Sequence, residues 1–253
     1  MHTQPCGKRL GHTEGVALLI TAALKQQLAQ RGVTSLLNPG FSLPDDSVFE
    51  GPCSLKRMQA VYSLAMGAFS YAKSGYFFGV KFGRYCSIGE DVQIGRGSHP
   101  PYWGSTSPLF YRHHKHVFDQ EIPEAANFKP NAPPQRASIT AIGNDVRIGT
   151  GALLSQGITV GDGAVIQPFT VVTKDVPPYA IIAGNPGTIT GMRCAAGTIA
   201  RMQELAWWRY AFWDFPGAPV AEPEAFLDHI EWCVKAGMKP YAPAPVVLSA
   251  MAG

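Results

Sequence analysis

Residues 142–177 read IGNDVR, IGTGAL, LSQGIT, VGDGAV, IQPFTV and VTKDVP, six hexads in one phase. Ile142, Ile148, Leu154, Val160, Ile166 and Val172 open them, and Val146, Ala152, Ile158, Ala164, Thr170 and Val176 fill the fifth place. Two inward positions in every six residues fit neither the 3.6-residue period of a helix nor the two-residue period of a simple strand. They fit a parallel β-helix, whose short strands lie along flat faces and whose corners fall at Gly, Asn and Asp. Three hexads close a triangular coil, so this stretch supplies about two coils.

Working outward, FGRYCS, IGEDVQ and IGRGSH open in the same phase at Phe82, Ile88 and Ile94, with weaker hexads at Ser70 and Tyr76. The sequence between Ile94 and Ile142 drops the pattern. Residues 99–136, rich in Pro, His and aromatics, form an excursion, and an insertion of that length in a compact domain is usually functional. The expected organisation is mainly β: a left-handed parallel β-helix over 70–190 carrying the excursion loop 99–136. An N-terminal helix and irregular extension (1–69) precede it, and a C-terminal helical cap (191–253) follows.

In the first part, VALLITAAL at 16–24 is shorter than the roughly 20 residues of a membrane span, and no small-x-small cleavage site follows. Thr13 as N-cap, with Val16, Leu19, Ile20, Ala23, Leu24 and Leu28 on one side, predicts an amphipathic helix of about 15 residues ending near Gly32, in a cytoplasmic protein. KRMQAVYSLAMGAF, later in that part, fits a helix or an irregular strand. In the last part, Met202, Leu205, Trp208 and Phe212 share one helical side, as do Phe226, Ile230 and Val234. Two helices there are expected to cover the open end of the solenoid, with Trp207, Trp208 and Trp213 as packing.

Composition narrows the function. Charged residues are 15% of the 253, against 27 Gly and 21 Pro, an excess that Gly punctuating ordered repeats explains without disorder. The net charge of +3 comes without a dense Lys/Arg run, which argues against a nucleic-acid partner. Cys6, Cys53, Cys86, Cys194 and Cys233 contain no CxxC pair, so neither a disulfide framework nor a cysteine zinc site is indicated. Cys86 takes the inward fifth place of its hexad and reads as core.

The hexads, the His in GRGSHPPYWGSTSP and the run VVTKDVPPYAIIAGNPGTI together resemble the left-handed β-helix (hexapeptide-repeat) acyltransferases. Within them the chain is most similar to the xenobiotic acetyltransferase and polysaccharide O-acetyltransferase branch. The resemblance covers roughly residues 75–214. It implies a homotrimer, acetyl-CoA as co-substrate in a groove between neighbouring coils, no metal, and a loop that reaches the adjacent subunit's site. It also implies that His99, at the start of the loop, is the catalytic base. A hydroxyl acceptor must lose its proton as it attacks a thioester, and imidazole is the side chain best poised to take it near neutral pH.

For the donor, the resemblance points to Lys174 and Thr173 and to exposed backbone at Gly149, Gly151, Gly157 and Gly163, and Arg193 and Arg201 are weaker candidates for the phosphates. Trp103, Tyr102 and Tyr111, with Phe110, offer aromatic faces to an acceptor. Arg147 stands where the family often has Trp. His113, His114 and His116 in YRHHKHVF read as a solvated or substrate-facing stretch rather than metal ligands, and Asp119 or Glu121 as groups that could orient an imidazole. The leading expectation is O-acetylation of a sugar or saccharide in surface polysaccharide biosynthesis. Antibiotic O-acetylation, amino-sugar N-acetylation and a non-catalytic scaffold are the alternatives.

Overall fold

In the computed structural model, which describes residues 17–97, 99–132 and 137–251, the hexad openers stack in three columns, two of them extended by Ile182 and by the fifth-place Val176. Ile88, Ile148, Ile166 and Ile182 form one, Ile94, Leu154 and Val172 a second, and Phe82, Ile142, Val160 and Val176 a third. All the pairings are parallel and all these side chains are buried. Each column is one face of a left-handed parallel β-helix, and most later strands are only two or three residues long because the chain turns a corner after each. Cys86 is core as expected: its Sγ lies 3.0 Å from the Gly143 carbonyl, and burial pushes the thiol up to about 12.

The solenoid begins well before residue 70, which corrects the irregular extension expected over 33–69. Val33–Thr34 pairs in parallel with Cys53–Ser54 and that strand with Tyr71–Ala72, while Val48–Phe49 pairs with the strand Arg57–Met66. Two long strands, Arg57–Met66 and Ser74–Phe82, run past a corner without a break, at Tyr62 (φ 76°) and Gly79 (φ 59°). Tyr62 stacks on Phe78 there, centroids 5.1 Å apart. Aromatic corners in place of Gly or Asp, and a register shift between Val61 and Leu64, erase the hexad signal in these coils.

The first helix is shorter than expected and starts later. Thr13 lies outside the described residues; α1 (Ala22–Gln30) is capped by Thr21, whose Oγ1 accepts from the Leu24 amide at 3.1 Å. Upstream, Ala17–Leu19 is a strand, antiparallel to Ser42–Pro44, because an edge was available to pair with. Leu24 and Leu28 of α1 join the same buried cluster as Val33 and Leu55. Among its described residues the excursion holds a short helix, α2 (Lys115–Phe118), and two 3-10 turns, Pro108–Phe110 and Pro123–Ala125.

The C-terminal helices do not cover the end of the solenoid; they lie along one edge of it. α3 (Ala196–Leu205) stops at Ala206 (φ 46°), and the side chains expected to prolong it sit in 3-10 turns, Trp207–Arg209 and Phe212–Asp214. α4 (Pro223–Lys235) packs on α3 through Phe226, Leu227 and Ile230. The edge they follow is the corner between the third and first faces. There Tyr179 joins the helical cluster, Tyr85 meets Trp207 at 4.8 Å, and Phe69 meets Trp213 and Tyr241. Burial raises the Tyr85 phenol far above its ordinary value, and its hydroxyl donates to the Tyr210 carbonyl at 2.8 Å.

Arg84 ties the edge together. It forks onto both oxygens of Glu50 at 2.7 and 3.0 Å and donates to the Arg209 and Tyr241 carbonyls, and the Arg84 guanidinium holds the Glu50 carboxyl below its ordinary range. Farther on, Val246–Val247 runs antiparallel to Val48–Phe49 in an early coil and leads into a 3-10 turn, Leu248–Met251.

Candidate active site

The excursion leaves the corner between the second and third faces after Ile94 and returns to it at Thr140. Its stem is fixed at once: Arg96 lies over the Tyr76 ring, 3.8 Å from the centroid, and its Nε donates to Gln93 Oε1 at 2.8 Å. Small side chains then fold the loop back. Ser105 Oγ accepts from the Ser107 amide at 3.1 Å, and Ser107 starts the Pro108–Phe110 turn. The fold-back delivers the Thr106 carbonyl to His99, with Nδ1 to O at 2.8 Å, and brings the Tyr111 hydroxyl to 2.9 Å from the same nitrogen.

A carbonyl oxygen only accepts, so Nδ1 carries the hydrogen. The neutral ring therefore keeps its lone pair on Nε2, the tautomer a general base requires. His99 is exposed whereas Tyr111 is 9% exposed, so the ring is gripped from its inner side and free on its outer one. Tyr111 is held in turn edge-on to Trp103, centroids 5.9 Å apart.

Trp103 faces an open cleft of about 470 Å³, completed by Gly104, Ser105, Phe110, Asn131 and Ala132. Of the aromatics expected on the acceptor side, Trp103 and Phe110 line this cleft. Tyr102 is 97% exposed outside it, and Tyr111 is buried beneath with its hydroxyl on His99. Two members had no side-chain signal in sequence. Thr106 acts through its backbone, and Asn131 shapes the cleft by donating its amide and Nδ2 to the Phe110 carbonyl.

The donor candidates fall on three different corners. Thr173 and Lys174 are exposed on the corner that launches the excursion, two coils farther along, and Gly157 lies between on the same corner against Ser138. Two strand spacings put Lys174 about 10 Å along the axis from the loop.

Gly149 and Gly151 sit on the corner between the first and second faces. A Cβ on Gly149 would fall 2.8 Å from Gln167 C and Pro168 Cα of the next coil, and Gly151 (φ 68°) is turned against the Phe169 ring. Both glycines are accounted for by coil stacking. Arg193 belongs to the third corner, spent within the chain: it pairs with Asp145 at 2.8 Å and donates to the Gly163 carbonyl at 2.8 Å. Burial raises the Asp145 carboxyl and the Arg193 charge opposes that rise. Arg201 is likewise engaged by Glu224, Asp228 and Glu231. Arg147 projects outward from the first face.

Residues 140–174 match the bacterial transferase hexapeptide family (six repeats). A chloramphenicol acetyltransferase of Agrobacterium fabrum is 37% identical over 187 residues, 64% of this chain and 85% of that protein. One from Morganella morganii is 34% identical over 65% of this chain and 84% of its own length. Among solved structures, a galactoside acetyltransferase in complex with coenzyme A is 21% identical with a TM-score of 0.38, over 66% of this chain and 68% of that one. By that extent of identity the chain is an acetyltransferase that belongs to the hexapeptide-repeat family, in its xenobiotic acetyltransferase branch.

Proposed function

We propose that the protein transfers the acetyl group of acetyl-CoA directly to a hydroxyl, with His99 Nε2 taking the acceptor's proton. The observation that carries this reading is the Nδ1 contact with the Thr106 carbonyl, which leaves Nε2 basic and outward. Attack by the deprotonating hydroxyl on the thioester carbon forms the ester as the C–S bond breaks, and the imidazolium returns its proton to the departing CoA thiolate. No acyl-enzyme is needed. Tyr111 and Thr106 supply the two oxygens that face the Nδ1–H as the ring gains its charge. Tyr111→Phe is expected to lower kcat about tenfold, the worth of one such hydrogen bond, with both KM values within about twofold; steady-state kinetics on a folded variant checks this.

On the donor side, Thr173 and Lys174 meet the CoA phosphates or pantetheine arm, in a homotrimer whose grooves lie between neighbouring coils in the cytoplasm. Family membership and the shared corner of Lys174 and the excursion support this arrangement. Lys174→Ala is expected to raise the KM for acetyl-CoA about tenfold and to leave kcat within about twofold. An unchanged KM would show that its charge faces only solvent.

For the acceptor, Trp103 and Phe110 suit the face of a sugar ring, which supports a saccharide of surface polysaccharide biosynthesis. A second reading, an amphipathic aromatic alcohol such as chloramphenicol, is favoured by what the curated relatives are. The test is CoA release from acetyl-CoA against saccharides, nucleotide-sugars and chloramphenicol, with His99→Ala as control. His99-dependent turnover with one class assigns the acceptor. Failure to bind CoA would overturn the enzymatic reading in favour of a scaffold.

A further inference from the structure

The excursion carries a second constellation that acyl transfer does not use. His114 stands just before α2, and Asp119 ends it in the left-handed region (φ 56°), which turns the chain back on itself. That return places Glu121 Oε2 3.0 Å from His114 Nε2, although seven positions separate the two residues. The His113 ring lies over the His114 ring with centroids 4.1 Å apart, and His116 is 6.3 Å from His113. Among the described residues, one donor atom each from His113, His114 and Glu121 lie within 4.8 Å of one another. His114 is 8% exposed, so its Nε2 is aimed at Glu121 by packing, while His113 and Glu121 are exposed, His113 Nδ1 accepting from the Lys115 amide at 3.3 Å.

We propose that His113, His114 and Glu121 bind one divalent transition-metal ion of the Zn²⁺ class, which staples the excursion loop. Two neutral imidazoles and a carboxylate are a donor set that Zn²⁺ favours, at about 2.0–2.2 Å from each ligand atom. Donors around a tetrahedral ion stand about 3.4 Å apart by that geometry, so rotation of the two exposed side chains closes the site. The ion takes the place of the hydrogen between His114 Nε2 and Glu121 Oε2. Lys115, 3.5 Å from Glu121 Oε1, holds the other carboxylate oxygen, and water or His116 fills the fourth position. The site begins two residues after Tyr111, so it would anchor the segment that grips His99. Most of the described loop lies outside helix and strand, and a cross-link there offsets conformational entropy.

The test uses full-length, tag-free protein stripped with a chelator and dialysed. Zn²⁺ is titrated calorimetrically and Co²⁺ spectroscopically, into wild type, His113→Ala and Glu121→Gln, with circular dichroism as the check on folding. The proposal expects one ion per chain, the strong visible absorption of four-coordinate Co²⁺, and at least about tenfold weaker binding in each variant. Wild type should also gain thermal stability with Zn²⁺ while His113→Ala does not. Absence of binding, or binding that both variants retain, overturns it. Should Glu121→Gln misfold, His113→Ala alone decides, since that side chain is exposed.

Discussion

His99→Ala lowers kcat by at least about a hundredfold, while coenzyme A binding and the secondary structure stay as in the wild type. The magnitude follows from the role: a positioned base contributes about 10²- to 10⁴-fold, and its loss adds about 2.7 kcal/mol or more to the barrier. The structure makes the expectation sharp, because the imidazole is exposed and its removal opens no buried cavity. Its inner side meets Thr106 and Tyr111 through Nδ1, with the Tyr111 ring edge-on at 6.3 Å. Thiol release under saturating donor and acceptor is the measurement, and turnover within about threefold of wild type would remove His99 from the chemistry.

Gly149→Ala should cost about 3 kcal/mol of stability, at the upper end of overpacking penalties, and so lower Tm by about 6–12 °C. The added methyl meets the backbone of Gln167 and Pro168 rather than a side chain that can step aside. Adjacent coils are about 4.8 Å apart, and the corner has no slack to absorb it. Gly197→Ala is the control: nothing lies within 4 Å of a Cβ there and the position is helical, so Tm should hold or rise slightly. The pair of variants also separates two explanations of Gly149. If donor contact rather than coil spacing holds that glycine, Tm stays and the KM for acetyl-CoA rises instead.

How far the sequence reveals this molecule depends on which forces write themselves into a local pattern. The hexads are written by burial, and the openers from Phe82 to Val172 stack as their phase implies. Even the sorting of the donor candidates was legible. With three hexads to a coil, Gly157 and Lys174 occupy equivalent hexads and share a corner, whereas Gly149 and Gly151 occupy the one before.

The earlier coils were hidden because Tyr62 and Gly79 carry unbroken strands past their corners, so the six-residue beat is lost although Met58, Leu64 and Met66 are buried as firmly as any later opener. The grip on His99 is a backbone carbonyl from a loop, which has no residue-type signature. Glu121 reaches His114 only because Asp119 reverses the chain, a tertiary consequence that spacing alone does not show. The route of the C-terminal segment rests on single aromatics, Phe69, Tyr85 and Tyr179, each at a positive-φ corner and each isolated in its own stretch of sequence.

That route changes how the molecule should come apart. A bare solenoid is a one-dimensional stack in which each coil feels only its neighbours, and such stacks open progressively from an end. Here the last coil's strand at Ala180–Ala183 continues into Thr188–Met192, and the chain then runs back past Tyr85 and Phe69 to pair with Val48–Phe49. Neither end can unzip without releasing contacts that also hold the other. Fraying is thereby converted into a single cooperative transition, and the corner that launches the catalytic loop inherits the full global stability rather than that of one coil.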